Sequence, residues 1–257
     1  MKAFAANNFA GIIPARYGSS RFPGKPLVLI GEKPMIIRVY EQAAKVLENV
    51  FVATDDERIM NTVKDFGGNA IMTSPLHQSG TDRCAEALVK IQELSGVNID
   101  IVVNIQGDEP FIRPEQISAL MGCFSDESVE LATLVRKVAS GEDIFNPNQP
   151  KVILNCHNDA IFFSRAAIPF LRDVKQEDWS RKYIYYKHIG LYAYRAQTLE
   201  KITKLPRSPL EIAESLEQNR WLENGYKIRT AITEWESIGI DTPEDLEKAI
   251  VLLEDLF

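Results

Sequence analysis

The chain has 257 residues, 45% of them hydrophobic and 25% charged, with a formal net charge of −7. That balance gives ample core for an α/β domain, excludes a general nucleic-acid binder, and leaves no apolar run long enough to span a membrane. The first nine residues are too short and too polar for a secretory signal, and Cys84, Cys123 and Cys156, odd in number and far apart, read as buried thiols of a cytoplasmic protein rather than a disulfide frame or zinc site.

The first element is an apolar run over residues 9–13, read as a buried strand that breaks at Pro14. A loop follows with small residues (Gly18, Ser19, Ser20, Gly24) and three cations in ten residues, Arg16, Arg21 and Lys25. A strand feeding a cationic, small-residue loop suits an anion, because backbone N–H groups approach its oxygens and the cations cancel its charge. Three cations match a triphosphate better than a monophosphate, although clustered Arg and Lys also make plain solvated loops. The loop is not a Walker A motif: Gly18 and Gly24 enclose five residues rather than four, and Pro26 stands where Ser or Thr would hold magnesium. A GxGxxG fingerprint is also absent, which disfavours a redox enzyme built on a dinucleotide fold.

Strand and helix signals then alternate. A helix opening at Pro34 carries Ile37, Tyr40, Ala44 and Leu47 at helical spacing. A strand over 50–53 leads to Thr54, Asp55 and Asp56, a helix over 57–66 is closed by Gly67 and Gly68, and a strand covers 70–73. A helix follows over 82–94, then a strongly β-branched strand over 99–105 and a helix from Pro114. Repeated strand–helix units predict a mostly parallel sheet with helices on both faces and ligands at the carboxyl ends of its strands. That edge gathers the loop over 16–25, either Asp55-Asp56 or the loop near His77, and the loop over 106–110. The second half reads as an antiparallel extension of the same sheet, with strands over 131–138, 151–155, 160–165 and 188–195. A long helix is predicted from Ser208-Pro209 to Glu223, then a strand over 226–233 and a final helix capped by Thr242. The whole, residues 1–257, reads as one domain.

Asp108, in the turn after the best strand, is a candidate magnesium ligand, since magnesium binds through one or two carboxylates plus phosphate oxygens. Asp241, between a strand and a capped helix, is the second. Each has an ordinary alternative, a Gly-Asp turn for Asp108 and a capping region for Asp241. In the loop 77–83, Ser79, Gly80 and Thr81 offer donors and acceptors to a nucleobase, Arg83 reaches for phosphate or carboxylate, and Thr81 or Asp82 caps the next helix. His188 and Tyr192, four apart on a strand, share a face with each other. With Arg165, Glu217 and Gln218 they suit an acidic, polyhydroxylated ligand, although each alone reads as an ordinary surface or core residue. His157 reads as a turn, Cys84 as core, and Tyr183, Tyr185 and Tyr186 as core or interface.

The motifs IIPARYGSSRFPGKPL, VATDD, HQSGTDRCAE, NIQGDEPFI, FFSRAAIPF, HIGLYAYR, LEQNRWLENG and GIDTPEDLEK occur in order within the stretch from about Phe9 to Glu254. Together they resemble the 3-deoxy-D-manno-octulosonate (Kdo) cytidylyltransferase family, the CMP-Kdo synthetases. The resemblance implies a Rossmann-like nucleotidyltransferase fold, a homodimer, Mg2+, and CTP and Kdo as substrates for lipopolysaccharide synthesis. It implies that Arg16 and Lys25, with Arg21, neutralise the triphosphate. Ala15 and the Gln78-Ser79-Gly80 loop read cytosine, and Asp108 and Asp241 hold the metal. Kdo then lies against Gln106, Arg165, His188, Tyr192, Glu217 and Gln218. Arg165 is the first choice for its carboxylate and Arg83 the second. Arg16, Lys25, Asp108 and Asp241 form the implied catalytic set. The stretch 233–238 departs from the commoner Pro-Gly-rich approach to the late aspartate. The alternatives are a cytidylyltransferase for 8-amino-Kdo or an N-acylneuraminate, and a non-catalytic nucleotide sensor. Neuraminate enzymes typically carry Gly-Ser-Lys where this chain has Gly18-Ser19-Ser20-Arg21. The strand-rich stretch 151–195 is the expected part of the dimer interface.

Overall fold

The computed structural model describes residues 9–256 except Ser20, Ser140 and Ser237. The residues before Phe9 and the loop residue Ser20 therefore lie outside the described set. In chain order the first half comprises β1 (Phe9–Ala15), β2 (Leu29–Ile30), β3 (Lys33–Pro34), α1 (Met35–Ala44), β4 (Asn49–Thr54), α2 (Glu57–Asp65), β5 (Asn69–Met72), α3 (Gly80–Ser95), β6 (Ile101–Asn104) and α4 (Pro114–Gly122). The second half adds β7 (Leu131–Lys137), β8 (Lys151–Leu154), β9 (Ala160–Ser164), α5 (Trp179–Lys182), β10 (Tyr186–Arg195), α6 (Ala196–Ile202), α7 (Pro209–Glu214), α8 (Glu217–Glu223), β11 (Arg229–Thr233) and α9 (Pro243–Leu256).

Among the described residues one nine-stranded sheet runs through both halves in the order β11-β7-β10-β6-β1-β4-β5, with β8 and β9 attached beside β10. Pairing along this path is parallel except at β10, which is antiparallel to both β6 and β7. The alternation of β1 sorts its side chains to two layers. Phe9, Ile13 and Ala15 pack with apolar residues of α1, α2 and α4, while Ala10 and Ile12 pack with those of α3, α6 and α8. The expected mostly parallel sheet with helices on both faces, extended by antiparallel strands, is the architecture found.

Local departures have local causes. β1 does not break at Pro14: it runs on to Ala15, with Pro14 opposite Ala53 of β4. Pairing with β6 has already ended at Ile12, whose carbonyl accepts the Ile105 N–H, so the missing N–H of Pro14 falls where no partner strand continues. Helix α3 starts at Gly80, and its N-cap is Ser79, which accepts the Asp82 N–H at 3.1 Å, not Thr81 or Asp82. The long helix expected up to Glu223 is two helices, α7 and α8, parted at Ser215, which takes a left-handed φ of 51°. The last strand begins at Arg229 rather than Tyr226. Of the cysteines only Cys84 is fully buried; Cys123 is half-buried and Cys156 is exposed.

Two features deliver the site. The parallel strands β1, β4 and β6 end on one edge, and their loops meet there. Strand β10 runs the other way, with Tyr192 opposite Asn104 at the end of β6, so its earlier residues, His188 to Gly190, project past the same edge. The loop after β6 then passes so close to β1 that a Cβ on Gly107 would lie 2.8 Å from the Pro14 carbonyl oxygen. Gly107→Ala is expected to cost about 1–3 kcal/mol, as overpacking against rigid backbone does. Urea denaturation measures this, and an unchanged midpoint would show that the approach is not constrained.

Candidate active site

The loop after β1 is folded back on itself. The Tyr17 carbonyl accepts the N–H groups of Ser19 (3.0 Å) and Gly24 (2.9 Å). Gly24 has φ 74°, and a side chain there would strike the Tyr17 ring at 3.0 Å. That ring is also covered by the Arg58 guanidinium, 3.3 Å from its centroid, which is itself held by Asp56, the N-cap of α2. A cationic loop fixed in this way presents Ala15, Arg16, Ser19, Arg21 and Lys25 to a cleft. The facing wall is His77, Gln78, Ser79 and Gly80, and the floor is Gln106, Gly107 and Asp108, with Asp241 at the rim. Of the two loops that could have joined, it is the His77 loop that lines the cleft, not Asp55-Asp56. Asp55 turns inward to pair with Arg83 at 2.7 Å.

Arg83 borders the cleft but is only 4% exposed, and its guanidinium also donates to Thr73 Oγ1 at 2.6 Å. Its charge is thus matched inside the protein. His77 is held through Nε2 by Glu86, a residue not singled out from the sequence. Burial alone would raise the Glu86 pKa, but Lys90, the Ser74 N–H and His77 outweigh it and hold the carboxyl down to about 2. The sequence signals for Glu86 are its place at the end of the HQSGTDRCAE motif and its i,i+4 spacing from Lys90.

Two distant segments converge on Lys25. Its Nζ lies 2.6 Å from Asp108 Oδ2, 2.9 Å from Asp241 Oδ1 and 3.2 Å from the Ile240 carbonyl. Arg21 reaches the other oxygen of Asp241 at 2.9 Å. Burial works to lower the Lys25 pKa, but the two carboxylates outweigh it and hold the ammonium above its ordinary value. The aspartates are fixed from the backbone: the Ile240 N–H donates to the Asp108 carbonyl at 2.9 Å, and Asp245 accepts the N–H groups of Asp241 and Thr242. An ammonium touching one oxygen of each carboxylate is a stand-in for a bound cation, and an all-oxygen donor set fits a hard divalent ion. Among the described residues no group of three or more His, Cys, Asp or Glu could hold a metal ion. Two carboxylates leave the other positions to substrate oxygens and water, the usual manner of magnesium.

A second pocket adjoins the first and shares Gln106, Asp108 and Asp241 with it. It is lined by Glu109, Arg165, His188, Gly190, Tyr192, Glu217 and Gln218, so Arg83 is the one residue of the expected sugar set that stands elsewhere. Arg165 fills the break between α7 and α8. Nε donates to the Glu214 carbonyl (2.6 Å), one terminal nitrogen to the Pro147 carbonyl (2.9 Å) and the other to the Ser215 carbonyl (3.3 Å). Glu217 accepts from Thr81 at 2.7 Å and from Arg220 at 2.8 Å. Burial raises its pKa despite those partners. The Gln218 amide nitrogen is buried with no hydrogen-bond partner among the described residues. Gln106 donates to the Gly190 carbonyl at 3.2 Å, at a bulge in β10 where the register with β7 shifts between Ile189 and Tyr192. The His188 and Tyr192 rings remain 5.2 Å apart across that bulge. Gly190 and Glu109 were not picked out as site residues, although both lie inside motifs read from the sequence.

Comparison with known proteins places these pockets in context. The cytidylyltransferase family model matches residues 10–228. The chain is 60% identical to a 3-deoxy-manno-octulosonate cytidylyltransferase of Parabacteroides distasonis, covering 95% of this chain and 98% of that one. It is 57% identical to the protein of the same name from Bacteroides thetaiotaomicron, covering 94% and 96%. Among solved structures it is similar to CMP:2-keto-3-deoxy-manno-octonic acid synthetase complexed with CTP, with TM-score 0.88 and 43% identity over 97% of this chain and all of that one. A glucose-1-phosphate thymidylyltransferase from Bacillus anthracis shares the fold at TM-score 0.61 and 19% identity over 96% of each chain.

Burial pushes the His188 imidazole down to about 3, so it is neutral at physiological pH. An unfolded histidine takes up its proton below about pH 6.5. The contribution of neutral His188 to stability is therefore complete above that value and is lost as pH falls from about 6.5 toward 3. Its ring resonances are expected to stay fixed between pH 5 and 8 in an NMR titration. A midpoint near 6.5 would place the ring in water instead.

Proposed function

The chain belongs to the cytidylyltransferase family, and from that membership we propose that it transfers CMP from CTP to the anomeric hydroxyl of Kdo, releasing pyrophosphate. The observation that carries the reading is the meeting of two unlike pockets, one cationic and one rich in neutral donors and acceptors, at Asp108, Asp241 and Gln106. The high identity to proteins named for this reaction, and the likeness to a synthetase complexed with CTP, support it.

In this reading Arg16, Arg21 and Lys25 lie along the triphosphate and balance the charge that grows on the leaving pyrophosphate. Lys25 is suited to this because the aspartates keep it protonated. Ala15 and the Gln78-Ser79-Gly80 turn read cytosine by close hydrogen bonds. Asp108 and Asp241 hold Mg2+, which supplies charge neutralisation at the phosphates when bound. Arg165 has five N–H groups and uses three on backbone carbonyls, so a pair remains to clamp the Kdo carboxylate. Gln218 gives its unpartnered amide N–H to a sugar hydroxyl, and Gln106, His188, Tyr192 and Glu217 complete the polyol contacts. Holding both reactants in line supplies a large part of the rate, of the order of 7–11 kcal/mol for well-aligned pairs. A homodimer uses the stretch 151–195, where Phe170 and Ile184 are 72% and 55% exposed and offer apolar surface to a second copy.

The test is pyrophosphate release from purified protein with Mg2+, comparing CTP, UTP and ATP, each with Kdo, 8-amino-Kdo, N-acetylneuraminate or no sugar. Release with CTP and Kdo is expected. Release with CTP and another sugar would reassign the second pocket, and silence from a protein that still binds CTP would favour a sensor. Asp108→Ala should lower turnover by roughly 10²–10³-fold, the scale of losing one electrostatic stabiliser of a transition state. Its circular dichroism should be unchanged, and near-normal turnover at saturating Mg2+ would remove Asp108 from the metal site. Arg165→Ala should raise KM for Kdo by about tenfold or more while leaving KM for CTP alone. An equal rise in both would place Arg165 outside the sugar contacts.

A further inference from the structure

The bulge in β10 has a consequence for the chemistry of His188. Opposite β7, Ile189 pairs with Leu134 and Tyr192 with Thr133, so Gly190 and Leu191 have no register partner. Thr133, fully buried, turns its side chain to this irregularity. Its Oγ1 lies 2.8 Å from the Leu191 carbonyl, 3.2 Å from the Ile189 carbonyl and 3.0 Å from His188 Nε2. A carbonyl only accepts, and a hydroxyl has a single proton. The Thr133 proton is drawn to the carbonyls, chiefly that of Leu191, and the oxygen is left to accept. The hydrogen of the 3.0 Å contact then belongs to His188 Nε2.

We propose that Thr133 is a positioning residue that locks His188 in its Nε2–H tautomer, so that Nδ1 faces the sugar pocket as a hydrogen-bond acceptor. A neutral imidazole has one donor and one acceptor nitrogen, and the partner of one decides the role of the other. His188 lines the pocket, and Nδ1 has no partner among the described residues and is not among the buried unpaired atoms, so it is open to a ligand. Phe163 and Tyr192 flank the ring at centroid distances of 5.2 Å and 5.2 Å and oppose the flip that would exchange the two nitrogens. Burial also keeps the ring neutral, which leaves one nitrogen free to accept. The pocket is thereby specified for a hydroxyl that donates at this point, in the same pocket as the Gln218 amide that donates to the ligand. This assignment of a specific contact rests on the proposed reading of the second pocket as a polyol site.

The chain has three histidines, so long-range 1H–15N correlation of the ligand-free protein resolves each ring, with His188 identified by the peaks lost in His188→Gln. Wild type is expected to show the Nε2–H pattern for His188, and Thr133→Ser, which keeps the hydroxyl, to retain it. Thr133→Val keeps the shape but removes the oxygen, and should give a mixture of tautomers. KM for Kdo should rise about three- to tenfold in Thr133→Val, with kcat and KM for CTP little changed, the scale of one misplaced hydrogen bond. An Nδ1–H pattern in wild type overturns the proposal. So does a Thr133→Val protein with an unaltered tautomer, or one whose KM rises equally for both substrates. If Thr133→Val does not fold, the wild-type and Thr133→Ser spectra decide. The spectra need no substrate, so a failure of Kdo as the sugar would leave the tautomer result standing, and a wrong tautomer would leave the Kdo assignment standing.

Discussion

The cleft depends on a single ammonium. Asp108 follows the central sheet, Asp241 precedes the last helix, and neither would sit beside the other without a cation between them. Lys25 supplies it, touching both. Removing the lysine would leave the two carboxylates facing each other without it, which costs more than losing an exposed pair. The interaction joins the loop after β1, the loop after β6 and the approach to α9, three of the segments that border the first cleft. It also keeps Lys25 charged. The cation is thus in place before any ligand arrives, and the rearrangement needed on binding is an exchange of partners rather than the building of a site.

The second constraint is the reversed strand. In a fully parallel sheet every strand delivers its last residues to the ligand edge, and the loops there would all follow strands. Because β10 is antiparallel, its earlier residues reach that edge, and the bulge lets His188, Gly190 and Tyr192 all border the pocket. The break between α7 and α8 works in the same direction. It frees the Glu214 and Ser215 carbonyls for Arg165 and starts α8 with Glu217 and Gln218 against the pocket. Two irregularities, one in a strand and one between helices, bring residues from distant parts of the chain to the same pocket.

What the sequence made legible, and what it hid, divides along this line. The alternating elements, the edge on which their loops gather, and many of the residues that line the two pockets follow from periodicity, turn chemistry and family motifs, because these are local signals. The single-residue breaks do not. Ser208 to Glu223 reads as one helix because nothing in its composition announces a left-handed Ser215, and the residue that takes up the carbonyls at the break, Arg165, is distant in sequence. Arg83 reads as a ligand-binding cation because its motif is polar, yet Asp55 and Thr73 claim it across the fold. Pro14 reads as a strand breaker because a proline normally is one, and only the early end of β6 makes it harmless. Cys156 reads as buried by the habit of its residue type, and a turn exposes it.

The distribution of charge follows the same logic at the scale of the site. The chain is acidic overall, with a net charge of −7, yet the first cleft gathers Arg16, Arg21 and Lys25. An acidic exterior around a cationic cleft disfavours diffuse binding to polyanions while leaving a focused field for one small anion. The second pocket has a different character: a guanidinium already part-committed to carbonyls, a neutral imidazole, a buried amide and a carboxyl whose pKa is raised by burial. Such groups recognise by the direction of hydrogen bonds rather than by net charge. A ligand with one carboxylate and several hydroxyls fits that set, because each hydroxyl must find the matching donor or acceptor or leave a buried polar group unpaired. Selectivity there is a matter of orientation, and orientation is what the backbone irregularities around β10 and Ser215 supply.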